Sequence, residues 1–147
     1  MTKVRAILDH LKQPLARIDP DATVLDAARL MNERRIGALV VSRGDRLAGI
    51  ITERDVLNRV VAAQRDPSTT RVQEVMTSSV TCCSPETTRS ECEAIMRRRK
   101  IRHLPVVEGE RVVGMVSVHD VLEDEAHEQA QTIRNLFEYM HGEWRSA

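Results

Sequence analysis

The chain is nearly without aromatic side chains. Phe137, Tyr139 and Trp144 are its only ones, and all stand in the C-terminal tail, so nothing upstream can stack a base on an aromatic face. A basic excess is missing too. The 22 Lys and Arg residues stand against 22 Asp and Glu, which argues against the broad positive face of a nucleic-acid binder. No apolar run approaches the roughly 18 residues of a membrane span, and Met1–Arg5 opens the chain without a signal-peptide apolar segment; a cytoplasmic location away from the membrane is expected. Cysteine is sparse. Cys82, Cys83 and Cys92 are odd in number, two are adjacent, and no Cys-x-x-Cys is present, which argues against disulfides and metal binding and leaves small apolar filler. His119, His127 and His141 are too scattered to suggest a metal site. A nucleophile elbow, a P-loop and a His-Glu-x-x-His element are absent as well, so no enzyme is expected.

What the chain does contain is a repeat. Pro20 and Pro85 lie 65 positions apart, and at that spacing Thr23 falls on Thr88, Met31 on Met96, Ile36 on Ile101 and Leu39 on Leu104. Gly44 falls on Gly109, Gly49 on Gly114 and Asp55-Val56-Leu57 on Asp120-Val121-Leu122, without a gap. Each copy reads alike. Thr23 to Arg35 has apolar Val24, Ala27, Ala28 and Met31 at helical spacing. Ile36 to Val41 is a short apolar strand, Arg43-Gly44-Asp45 supplies a turn, Leu47 to Ile51 is a second strand, and Asp55 to Ala63 reads as a helix. The second copy repeats this from Thr88 through Leu122. The fold class is therefore α+β, with tandem β-α-β-β-α units related by a pseudo-two-fold axis, because one unit is too small to bury its sheet alone. The expected organisation is a first motif over 4–63, a linker over 64–70 around Asp66-Pro67-Ser68, a second motif over 71–124, and a C-terminal helix and tail over 125–147.

Gly49-Ile50-Ile51-Thr52-Glu53-Arg54-Asp55 and Gly114-Met115-Val116-Ser117-Val118-His119-Asp120 resemble the Gly-apolar-x-Thr/Ser-x-x-Asp signature of the cystathionine-β-synthase (CBS) domain family. Ile101-Arg102-His103-Leu104-Pro105-Val106-Val107 resembles that family's strand ending in Leu-Pro-Val-Val. The resemblance implies a CBS pair whose cleft holds AMP, ATP, NAD or S-adenosylmethionine, an energy-sensing or other regulatory role, homodimerisation, and an unidentified regulated partner. In relatives the motif Asp accepts hydrogen bonds from the ribose hydroxyls, which points to Asp55 and Asp120. Thr52 and Ser117 are then phosphate-side contacts at helix starts. One cleft would combine Asp120, Ser117 and His119 with the Ile36-Gly37-Ala38-Leu39 strand. The other would combine Asp55, Thr52 and Arg54 with the segment Ile101-Arg102-His103-Leu104 and the Val80-Thr81 strand.

The same residues have a reading that needs no ligand. Thr52 with Asp55, Ser117 with Asp120, Thr23 with Asp26 and Thr88 with Glu91 are all spaced as helix capping boxes. Arg102 and His103 either face phosphates or finish the basic helix end Arg97-Arg98-Arg99-Lys100, and Arg54 either grips a phosphate or lies on a solvated surface. Asp120 to Met140 reads as one long helix stopped by Gly142, with Ala126, Ala130, Ile133, Phe137 and Met140 as an apolar stripe. That stripe packs on its own sheets, on a second chain or on a partner. Two functions stay open: an adenine-nucleotide sensor, and a ligand-free dimerisation or scaffold module.

Overall fold

The computed structural model describes the backbone of residues 1–11 and 13–146 and the side chains up to Met140, so His141 and Trp144 lie outside the described side chains. In chain order the elements are α1 (Val4–His10), β1 (Arg17–Ile18), α2 (Val24–Arg34), β2 (Ala38–Arg43), β3 (Arg46–Thr52), α3 (Glu53–Val56), α4 (Val72–Val75), α5 (Arg89–Arg99), β4 (His103–Glu108), β5 (Arg111–Ser117) and α6 (Val118–Ser146). The class is α+β. Five strands form one sheet in the order β1-β2-β3-β5-β4. β2–β3 and β4–β5 are hairpins turning at Gly44 (φ 58°) and Gly109 (φ 65°), positions where the left-handed backbone favours glycine. The hairpins meet through the pair Arg46↔Arg111, the Val112 N–H donating to the Asp45 carbonyl at 2.8 Å, and an ion pair of Arg111 with the Asp45 carboxylate at 3.5 Å.

The 65-residue spacing survives in detail. Thr23 caps α2 with a complete capping box; in α5 the Thr88 hydroxyl accepts the Glu91 N–H at 3.2 Å. Both helices end on a non-glycine left-handed residue, Arg35 (φ 55°) and Lys100 (φ 55°). The following N–H, of Ile36 or Ile101, returns to the Met31 or Met96 carbonyl. Satisfying that last turn delays the strands. β2 starts at Ala38 rather than Ile36, and β4 at His103. The second helix of the first copy starts earlier than its apolar pattern suggests, at Glu53, because Thr52 is the cap; from Leu57 to Val61 it continues as a π-helix. Gly142 does not stop α6, which runs on to Ser146. One glycine costs a helix only about 1 kcal/mol, which flanking turns absorb.

The first strand is unequal in the two copies. β1 pairs in parallel with β2 at Arg17↔Val40 and Ile18↔Val41, while the second copy keeps only the bridge Cys83↔Val106. Val80-Thr81 is not a strand. It corresponds to Leu15-Ala16, which likewise precede the point where pairing begins. The segment 64–70 is a hydrogen-bonded turn, with Asp66 Oδ1 accepting the Ser68 N–H at 2.9 Å and the Ser68 hydroxyl at 2.7 Å.

Each copy completes its core with a helix from outside it. Val72 and Val75 of α4 pack with Val24, Met31, Leu39, Val41 and Ile51 of the first copy. Val4 of α1 packs with Cys83, Cys92, Leu104, Val106 and Val116 of the second, with Leu8 against them. The hydrogen bonds repeat the exchange. Val72 donates to the Ala22 carbonyl and Val4 to the Thr87 carbonyl, each at 2.8 Å; Gln73 donates to Pro20 and Arg5 to Pro85. Cys83 and Cys92 are the small buried filler expected, with the neighbouring Cys92 sulfur and burial both pushing the Cys83 thiol up. Arg89 at the start of α5 reaches Asp124 (2.8 Å) and Glu128 of α6. Among the described residues no helix is long and apolar enough to cross a membrane.

The exchange explains the motif glycines. A Cβ on Gly49 would stand 2.6 Å from the Thr77 carbonyl and 2.9 Å from Met76 Sδ; one on Gly114 would stand 2.7 Å from Leu8 Cδ2. A carbonyl in a backbone pairing cannot retreat, whereas Leu8 can turn. Gly49→Ala is expected to cost about 1–3 kcal/mol in urea denaturation, more than Gly114→Ala; equal losses at the two sites would contradict this.

Candidate functional site

Two turns of chain bring the candidate residues together. After its left-handed cap at Arg35 the chain passes Gly37, whose carbonyl accepts the Glu53 N–H at 3.0 Å, and the register then sets Ala38 opposite Thr52. In the second copy the Arg102 carbonyl accepts the Val118 N–H at 2.9 Å, and His103 lies opposite Ser117. The backbone neighbours of Gly37-Ala38 are therefore Thr52 and Glu53 of the same copy. Likewise Arg102-His103 adjoin Ser117-Val118. Strand pairing decides this, because each hairpin is internally complete.

Both ends open into one cavity of about 1000 Å³. It is lined by Gly37, Ala38, Thr52, Arg54 and Asp55 from the first copy, Arg102, His103, Ser117, His119 and Asp120 from the second, and Val80 and Thr81 between them. All twelve candidate residues border the same space. Ile36, Ile50, Val113 and Met115 supply apolar wall. Five fixed cations, Arg34, Arg35, Arg54, Lys100 and Arg102, face three carboxylates, Glu53, Asp55 and Asp120. Arg54 and Arg102 make no ion pair among the described residues. No three His, Cys, Asp or Glu side chains among them cluster as a metal site would require.

The capping boxes are real. Asp55 Oδ2 accepts the Thr52 N–H at 2.9 Å, and the Thr52 hydroxyl accepts the Asp55 N–H at 3.2 Å. Asp120 Oδ2 accepts the Ser117 N–H at 2.8 Å, with the Ser117 hydroxyl accepting in return at 3.1 Å. Each box uses one carboxylate oxygen. The second oxygens differ. Asp55 Oδ1 accepts from the Thr77 hydroxyl at 3.3 Å and has Arg59 Nε at 3.9 Å, and the residue is 8% exposed. Asp120 is half-buried and its Oδ1 has no partner among the described residues.

Sequence reasoning missed Thr77, Arg59 and Glu53. Thr77 reaches Asp55 only because α4 crosses onto the first copy, and nothing in the spacing announces that contact. Arg59 lies four residues after Asp55, a helical spacing at which a pair could have been noticed. Glu53 sits against Gly37.

His103 is the titratable group most altered by this setting. Burial, and then the Arg102 charge, hold its imidazole below the ordinary range, against the upward pulls of Asp120 and of Glu53 from the other copy. The unfolded chain therefore binds a proton that the folded chain resists. Stability is full above the ordinary histidine range and falls as pH drops through it. Wild-type melting temperature should decline between about pH 7.5 and pH 5.5, and His103→Gln should flatten that decline; an unchanged profile in the variant would count against this role.

Comparison with known proteins agrees with the geometry. Residues 4–62 and 72–127 each match the CBS domain. The chain is 37% identical over 127 residues to the CBS domain-containing protein CBSX3, mitochondrial, of Arabidopsis thaliana, a match covering 83% of this chain and 62% of that protein. It therefore spans less than two thirds of that relative's length. The CBS domain-containing protein YhcV of Bacillus subtilis is 31% identical over 116 residues, covering 79% of this chain and 82% of its own. Among solved structures, a protein with CBS domains from Burkholderia ambifaria superposes with a TM-score of 0.80 at 37% identity, covering 87% of this chain and 96% of that one. The exchanged helices, the paired capping carboxylates and these matches agree, and the chain belongs to the CBS domain family as a tandem pair of that motif.

Proposed function

We propose that the chain is a regulatory module that binds an adenine nucleotide (AMP, ATP or NAD) and signals to a partner protein through a change of conformation, without catalysing a reaction. Pairs of CBS motifs are generally regulatory modules, often of adenine nucleotides. The observation that carries the reading is Asp120. It lines a cavity of nucleotide size with Arg102, His103 and Ser117, and its Oδ1 has no partner among the described residues. A carboxylate held by its own helix start is an oriented acceptor for a ribose diol, and the cations beside it suit phosphate. Ala38, Ile50, Met115 and Val113 provide apolar surface for a base in a cavity without aromatic residues.

Capping alone explains both aspartates and favours the second reading, a ligand-free dimerisation or scaffold module. The two readings separate in one experiment: melting the full chain with AMP, ADP, ATP, NAD and S-adenosylmethionine. A binder at 100 times its dissociation constant should add about 2.7 kcal/mol of apparent stability. No shift with any of the five would leave only the scaffold.

Self-association belongs to either reading. Leu57 (59% exposed) and Leu122 (57%) occupy equivalent positions of the two copies, and Val61 (62%) lies beside the first. Along α6, Ile133, Leu136 and Met140 continue an exposed apolar face. A symmetric homodimer covering these faces is expected. Sedimentation should give twice the mass of the chain, and Leu57→Glu with Leu122→Glu should shift it to the monomer; a monomeric wild type would refute the expectation.

A further inference from the structure

The two ends of the cavity have the same backbone and different chemistry. Gly37 corresponds to Arg102, Ala38 to His103, Glu53 to Val118 and Arg54 to His119. At the first end the Glu53 side chain lies against Gly37, so closely that even a methyl group there would collide with it. An acidic group thus stands where the second end has apolar Val118, and no charge stands where the second end has Arg102.

The carboxylates differ in the same direction. Both Asp55 oxygens are engaged, one by the Thr52 cap and the other by Thr77 across the core junction, with Arg59 alongside. Neither Thr77 nor Arg59 has an equivalent at the second end. The segment α1 that replaces α4 there carries Asp9 at the position of Thr77, and Arg59 corresponds to Asp124, which is held by Arg89. Asp120 therefore keeps an oxygen for a ligand, whereas a ribose at Asp55 would reach a buried carboxylate, share Oδ1 with the Thr77 hydroxyl and meet the Glu53 charge.

We infer that the chain binds one anionic nucleotide, at the Asp120 end, and that Asp55 is a structural strut tying α4 to the first copy. The inference rests on the nucleotide reading above and goes beyond it by assigning stoichiometry and dividing the two motif aspartates between binding and structure. Arg102 and His103 at the second end would face the phosphates. Arg54, with no ion pair among the described residues, would meet an extended phosphate chain or the second half of a dinucleotide reaching along the shared cavity.

Calorimetric titration of the full chain with AMP, ATP, NAD and S-adenosylmethionine, each in turn, tests it. Whichever binds should do so at one equivalent per chain. Asp120→Asn should weaken it by about tenfold or more. Asp55→Asn should leave one equivalent and an affinity within about threefold, while lowering the melting temperature. If Asp55→Asn does not fold, Thr77→Val, which removes the bridge and spares the carboxylate, should show the same retained binding. Two equivalents per chain, or a loss at Asp55→Asn equal to that at Asp120→Asn, would overturn the inference and leave the nucleotide reading standing. No heat and no melting shift with any of the four would overturn both.

Discussion

Everything else in this molecule depends on the exchange of two short helices. α1 lies first in the chain and packs in the second core; α4 lies between the copies and packs in the first. Neither copy can bury its sheet without a segment that the sequence places elsewhere, so the two are obliged to form as a pair. The junction between the hairpins is slight: one strand pairing, one further backbone hydrogen bond and one exposed ion pair. Such a contact could not hold two units in register by itself. The crossed helices do so with fully buried valines, each contributing about 1.5–3 kcal/mol when removed from water.

The exchange also sets the character of the cavity. Because α4 crosses onto the first copy, it delivers Thr77 to the Asp55 carboxylate, and the same crossing at the other end delivers Leu8 to Gly114. The pseudo-symmetry is therefore close in the backbone and broken where polar side chains project into the shared space. A duplicated scaffold with unequal ends is a consistent outcome of that division. Core positions answer to packing in both copies, whereas the residues lining the cavity differ between them.

Much of the fold was legible in the sequence because the repeat is ungapped and the helix starts are written in local chemistry. Thr23, Thr52, Thr88 and Ser117 announce their helices through a hydroxyl three residues from an acidic side chain, and the structure forms a capping bond at each. Strand starts were less legible. The left-handed caps at Arg35 and Lys100 fall on residues that do not advertise such a conformation, and they push β2 to Ala38 and β4 to His103. The twelve candidate residues line one cavity, where the motif positions had suggested two clefts. What spacing could not supply was which neighbours they have. The pairing of Gly37 with Glu53 comes from hairpin register, and that of Asp55 with Thr77 from a long-range crossing.

The long C-terminal helix gives the cavity a mechanical arm. α6 begins at Val118, directly after the cap Ser117 and two residues before Asp120, and runs unbroken for 29 residues. At about 1.5 Å per residue it is about 43 Å long. Its first turn borders the cavity, Arg89 of α5 holds it further along at Asp124 and Glu128, and its far half carries the exposed apolar face. For such a rod a tilt of about 5° at the near end sweeps the far end through about 4 Å. The leverage is geometric: a displacement too small to disturb the capped turn becomes, at the other end of the same rod, comparable to the rise of a strand residue.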